Sequence, residues 1–164
     1  MKQGKTKQII FLSLAALVVI IGGVLFVGAA SGWFDSTIEK VTLSEEYLHD
    51  EESSSQMITI DTAKFNEMMS GGKTFVAISH LPTCTANILA YLKDYAAEHH
   101  FDYFYYPWSE LKETALHDKI RFAPSVYIVS NGKLITYLSA DSDADTAKYN
   151  DYNEFAAWLD SYKY

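Results

Sequence analysis

An α/β domain with a central mixed sheet flanked by helices is the architecture this sequence predicts over residues 57–164. Three observations carry that expectation. Short apolar runs of strand length alternate with stretches of helical periodicity, so the order reads β-α-β-α-β-α-β-β-α. One run, residues 74–79 (TFVAIS), is continuously apolar, as a central strand covered on both faces must be. The last two strand runs flank Asn131-Gly132, a pair that tolerates positive φ and suits a tight type I′ hairpin, so the sheet contains an antiparallel pair.

In chain order, residues 57–60 form a short strand. Asp61 or Thr62 caps a helix that carries Phe65, Met68 and Met69 on one face and stops at Gly71-Gly72. After the central strand, Ile88, Leu89, Leu92, Tyr95 and Ala96 make one apolar stripe of a helix over 85–99. The strand over 101–106 puts Phe101, Tyr103 and Tyr105 on one face and Asp102, Phe104 and Tyr106 on the other. A weaker helix follows over 109–119, then the hairpin of 125–129 and 134–137. A last helix begins near Asp151, with Tyr152, Phe155, Ala156 and Leu159 at i, i+3, i+4 and i+7. No internal repeat is evident.

Ahead of this domain, residues 9–30 (IIFLSLAALVVIIGGVLFVGAA) carry no charge. At about 1.5 Å per residue they are long enough to cross a hydrocarbon core of roughly 30 Å. Lys2, Lys5 and Lys7 precede the run and Asp35 and Glu39 follow it, which puts residues 1–8 in the cytoplasm and the rest outside as a single-pass protein. The competing reading is a cleaved signal peptide ending among Gly28, Ala29, Ala30 and Ser31. Either way the domain is exported. Trp33 and Phe34 read as interfacial anchors, and residues 31–56, with Glu45, Glu46, Asp50, Glu51 and Glu52, read as a solvated acidic stalk. Beyond the span stand 10 basic and 21 acidic residues, a balance that repels nucleic acid and anionic headgroups.

The chemistry concentrates at Cys84, the only cysteine of 164 residues. It lies in Leu81-Pro82-Thr83-Cys84, where strand gives way to helix and the helix N-terminus stabilises a thiolate. A lone cysteine forms no internal disulfide. His80, four residues earlier, reads either as a cationic neighbour that lowers the thiol pKa or as a solvated loop residue. His99 and His100 are adjacent at a helix end and cannot aim at one metal. Asp141, Asp143 and Asp145 have the spacing of a calcium loop, but Thr146 stands where that loop needs glycine and Tyr152 where it needs a bidentate acid. The aromatic run FDYFYYPW, 101–108, reads mainly as core, with any surplus near the Cys84 end available as a peptide-binding patch. Neither a metal nor a cofactor is expected.

The element order, with Cys84 opening the helix after the second strand and Pro124 just before the hairpin, resembles the thioredoxin fold over 57–164. Within it, residues 75–79 followed by Leu81-Pro82-Thr83-Cys84 look most like the bacteriocin transport accessory proteins and related exported proteins of Gram-positive bacteria, whose motif is P-T-C-x-x-C. That resemblance makes Cys84 the attacking cysteine and leaves Asn87 in the place of the resolving one, a degenerate C-x-x-C. It makes Ala123-Pro124-Ser125 the loop that carries a cis proline, with Ala123, Pro124 and Thr83 as substrate contacts. Thioredoxins also bury an acid in the preceding strand, where this chain has Ala77 and Ile78.

Two functional classes follow from the resemblance. The first is an accessory or binding protein without dithiol capacity that holds an exported polypeptide or a membrane protein, in peptide export or envelope protein quality control. The alternative is a monothiol thiol-disulfide oxidoreductase, in which Cys84 forms mixed disulfides and an external thiol acts as reductant. A third reading, a domain that only displays a surface to the wall or to other cells, makes neither Cys84 nor Pro124 important.

Overall fold

The computed structural model describes residues 40–83 and 87–163, all within the unit Glu39–Tyr164. The expected span over 9–30, the first part of the stalk and Cys84 itself lie outside the described residues. Among the described residues no helix is long and apolar enough to cross a membrane.

Five strands form one sheet: β1 (Met57–Thr59), β2 (Phe75–Ser79), β3 (Tyr103–Tyr105), β4 (Ser125–Ser130) and β5 (Lys133–Tyr137), in the order β1-β3-β2-β4-β5. β1 and β2 run parallel to β3, whereas β4 is antiparallel to both β2 and β5. The predicted mixed sheet is therefore present, with the apolar run at its centre: all five residues of β2 are buried. The β4–β5 turn has Asn131 at φ 50° and Gly132 at φ 72°, the two positive angles that the dipeptide predicts. A Cβ on Gly132 would also stand 3.1 Å from the Met69 carbonyl oxygen, a tight contact that the first helix could relieve only by a small shift.

Alternation along β2 builds two cores. Val76 and Ile78 face one layer with Leu92, Tyr95, Phe155 and Leu159. Phe75 and Ala77 face the other with Phe65, Met68, Tyr106 and Leu111. The helices α1 (Thr62–Ser70) and α3 (Trp108–Leu111) accordingly cover one face, and α2 (Ile88–Glu98) and α5 (Tyr152–Tyr162) the other. Asp61 caps α1 by accepting from Lys64 N at 2.8 Å, and Asp151 caps α5 by accepting from Asn153 N at 2.7 Å. Two phenols tie α2 to α5: Tyr95 donates to Asp160 at 2.6 Å and Tyr152 to Glu98 at 2.5 Å.

Two expectations need correction. The helix over 109–119 is broken: α3 ends at Leu111, and a 3₁₀ turn occupies Ala115–Asp118. Thr114 is the cause, since its hydroxyl donates to the Leu111 carbonyl and accepts from Leu116 N, competing with helical hydrogen bonds. The second correction concerns residues 41–56, expected as stalk. Val41 and Leu43 are buried in the α2–α5 core, and Tyr47 packs edge-on to Phe104 at 4.8 Å. Main-chain bonds fix the segment as well, with Val41 N donating to Tyr162 O at 2.7 Å and Asp102 N to Tyr47 O at 2.8 Å. Acidic composition hid a period-two pair, Val41 and Leu43, whose burial outweighs the solvation of the charges around it. Within the aspartate-rich loop, Asp145 accepts from Ser139 N at 3.0 Å and pairs with Lys148 at 2.7 Å, ahead of the short helix α4 (Thr146–Asn150).

Candidate functional site

Register places the site. β2 ends at Ser79, whose partner across the sheet is Ser125, so the loop that leaves β2 toward Cys84 starts beside the corner that enters β4. That corner holds a cis peptide bond between Ala123 and Pro124. Pro124 is buried and its carbonyl accepts from Tyr149 Oη at 2.6 Å, while Ser125 Oγ donates to the Leu138 carbonyl. Ala123 is half-buried, and among the described residues its main-chain N–H and C=O take part in no hydrogen bond. Phe122, just before it, is 46% exposed.

Thr83, which precedes Cys84, and Asn87, three residues after it, are both exposed. Asn87 precedes the first turn of α2. Its carbonyl accepts from Tyr91 N at 2.9 Å and its side chain makes no capping bond. Beneath the loop, Ala77 and Ile78 are fully buried, so this part of the strand offers no acid. The polar groups there are satisfied instead: Ser79 Oγ donates to Tyr106 O at 2.8 Å and lies 3.1 Å from Tyr127 Oη. Burial pushes both the Tyr127 and Tyr106 phenols up, which keeps them protonated at neutral pH and unable to serve as bases.

No protein-family model matches the chain, and no curated protein matches its sequence. Solved structures do match. A thioredoxin of Malassezia sympodialis aligns with a TM-score of 0.51 at 15% identity, over 70% of this chain and 96% of the thioredoxin. A thioredoxin of Nicotiana alata gives 0.51 at 11% identity, over 71% and 100%. The domain has a thioredoxin-like fold. At such identities the likeness concerns the arrangement of the chain alone; the bond between Ala123 and Pro124, in the loop that the resemblance singled out, is cis.

The thioredoxin-like fold also gathers a pocket whose aromatic walls come from the 101–108 run. A cavity of about 300 Å³ opens beside the β2–α2 loop, with Leu81, Pro82, Tyr105, Pro107 and Trp108 as apolar walls. His80, Ser109 and Lys112 supply its polar groups. The signal available was the aromatic run ending in Pro107-Trp108, where strand alternation breaks and Tyr105 and Trp108 are only partly buried while Tyr106 stays in the core. Tyr105 also braces the loop, its hydroxyl donating to the His80 carbonyl at 3.3 Å.

Burial lowers the His80 pKa, so the imidazole is neutral near pH 7 and the cationic-neighbour reading loses its support. The same shift predicts an acid-sensitive fold. An unfolded histidine takes up its proton near pH 6.5, whereas folded His80 resists it, so stability is complete above about pH 6.5 and declines as pH falls below it. His99, whose pKa burial and then the nearby Lys163 also lower, adds to the same trend. The urea midpoint should therefore drop less between about pH 7.5 and about pH 5.5 in His80→Gln than in the parent. An equal drop in both would show that His80 carries no such linkage.

Proposed function

We propose that this chain is a membrane-anchored, extracytoplasmic binding protein of thioredoxin-like fold that holds an extended segment of an exported polypeptide or membrane partner at the Ala123-Pro124 corner. Residues 9–30 serve as its anchor. The single cysteine leaves it without dithiol reductase capacity, and the P-T-C motif points to peptide export, of the bacteriocin type, or to envelope protein quality control as its setting.

The supporting observation is the main chain of Ala123, unengaged among the described residues. A half-buried N–H and C=O left open are costly unless something pairs with them, and an extended peptide does so by strand-like hydrogen bonding. Pro124, held by Tyr149, keeps that edge fixed. A neutral His80 and buried apolar Ala77 and Ile78 supply nothing that would activate Cys84, which favours holding over catalysis.

The test uses a polypeptide that cannot exchange disulfides, carboxymethylated α-lactalbumin, titrated into the full chain in detergent while amide NMR signals are followed. The Ala123 amide is expected to shift and to gain protection from hydrogen exchange, equally in the parent and in Cys84→Ser. An unmoved Ala123 amide sinks the proposal. Binding seen only with a disulfide-containing client, and lost in Cys84→Ser, would replace it with the monothiol enzyme.

A further inference from the structure

The pocket beside the β2–α2 loop has a composition that selects a ligand. Its volume, about 300 Å³, is at the lower limit for a small-molecule site, too small for a dinucleotide or a flavin but matched to one large side chain. Tyr105 and Trp108 give it aromatic walls, and Leu81, 39% exposed, leaves apolar surface at its mouth. Aromatic rings pack on such walls edge-to-face or offset, with a gain beyond the area they bury.

The polar groups are as informative. Lys112 forms no ion pair among the described residues. Glu110, two residues before it, is engaged elsewhere: its carboxylate accepts from Thr62 N at 2.7 Å and from Thr62 Oγ1 at 2.6 Å. The Ser109 hydroxyl and the His80 ring are likewise without hydrogen-bond partners among the described residues. An unpaired ammonium and two neutral polar groups around an apolar floor complement a carboxylate that sits next to an apolar body. On a surface that is acidic overall, Lys112 is the one lysine or arginine among the described residues that lines this pocket.

We infer that this pocket is a side-chain specificity site, which receives an aromatic residue of the bound polypeptide and pairs Lys112 with an acidic residue following it. The inference rests on the binding role proposed above and names the class of segment that role selects. Ala123 supplies sequence-independent main-chain pairing, and the pocket supplies the choice.

The probes are the peptide acetyl-Gly-Phe-Asp-Gly-amide and its Phe→Ala, Asp→Asn and Asp→Lys versions. Each is titrated into the full chain in detergent while the Trp108 indole N–H and the Ala123 amide are followed by NMR. Losing the aromatic ring should weaken binding at least about tenfold, the value of one buried large apolar side chain. Asp→Asn should weaken it about two- to fivefold, the value of an exposed ion pair. In Lys112→Glu, a change at an exposed position, the order should invert and the Asp→Lys peptide should bind best. Trp108→Ala should abolish the preference for the aromatic ring, with Leu81→Ser as the milder variant should Trp108→Ala unfold.

Shifts at Ala123 without shifts at Trp108 would overturn the pocket and leave the holding role standing. Shifts at Trp108 alone would keep the pocket and overturn main-chain pairing, and no shift at either position overturns both. Equal affinity for the aspartate, asparagine and lysine peptides would overturn the role given to Lys112.

Discussion

Leu43→Ala should destabilise the domain by about 2–5 kcal/mol, read as a lower urea midpoint at unchanged slope. Leu43 is only 4% exposed and packs in the same core as Leu92, Tyr95, Phe155 and Leu159, which are fully buried. A cavity there lies between the sheet and two helices that are tied together by the Tyr95–Asp160 bond, which limits how far they can close over it. The loss is a large share of a stability of about 5–15 kcal/mol. Val41→Ala should act in the same direction by a smaller amount, because valine loses less apolar surface and Val41 is 9% exposed. A midpoint that stays put in Leu43→Ala would return residues 41–56 to the status of a passive tether. The consequence for function is direct. With Val41 tied to Tyr162 through its main chain, the segment is part of the folded unit, and only residues before it remain to space the domain from the proposed anchor.

Strand identity and the antiparallel hairpin were legible because short apolar runs such as residues 74–79 and the Asn131-Gly132 turn are local signals that tertiary context reinforced. The corner at Ala123-Pro124 was legible through a motif, and the register of Ser79 with Ser125 gives that motif its physical content: two stretches 46 residues apart in sequence meet at one end of the sheet. What local pattern could not reveal was anything decided by partners far along the chain. Val41 and Leu43 sit among acids and look solvated until α2 and α5 are placed over them. Trp108 belongs to an aromatic run that reads as core, yet the chain turns at Pro107 and leaves its ring as a pocket wall. The His80 charge state was likewise undecidable from neighbours in sequence, since its burial comes from the fold.

Asn87→Cys should turn a protein without dithiol chemistry into a disulfide reductase, measured as insulin reduction above the background of dithiothreitol alone. In the parent, the Cys84 thiolate can attack an insulin disulfide, forming a mixed disulfide and releasing one insulin thiolate, but nothing on the same chain resolves it. The introduced thiol supplies the second attack: it displaces the remaining insulin sulfur, leaves a disulfide between positions 84 and 87, and dithiothreitol returns that disulfide to the dithiol. Asn87 suits the exchange, because it is exposed, its side chain caps nothing, and its helical backbone angles of φ −73° and ψ −3° are open to cysteine. The gain should remain below that of a complete dithiol enzyme, since Ala77 and Ile78 put no buried acid beneath the loop to help deprotonate the second thiol. Two controls give the result its meaning. The double variant Cys84→Ser, Asn87→Cys should fall back to background, which separates a dithiol mechanism from the action of any single exposed thiol. Circular dichroism should match the parent, and a folded Asn87→Cys chain that stays at background would mean that positions 84 and 87 are not placed for exchange, leaving the holding role to its own test at Ala123.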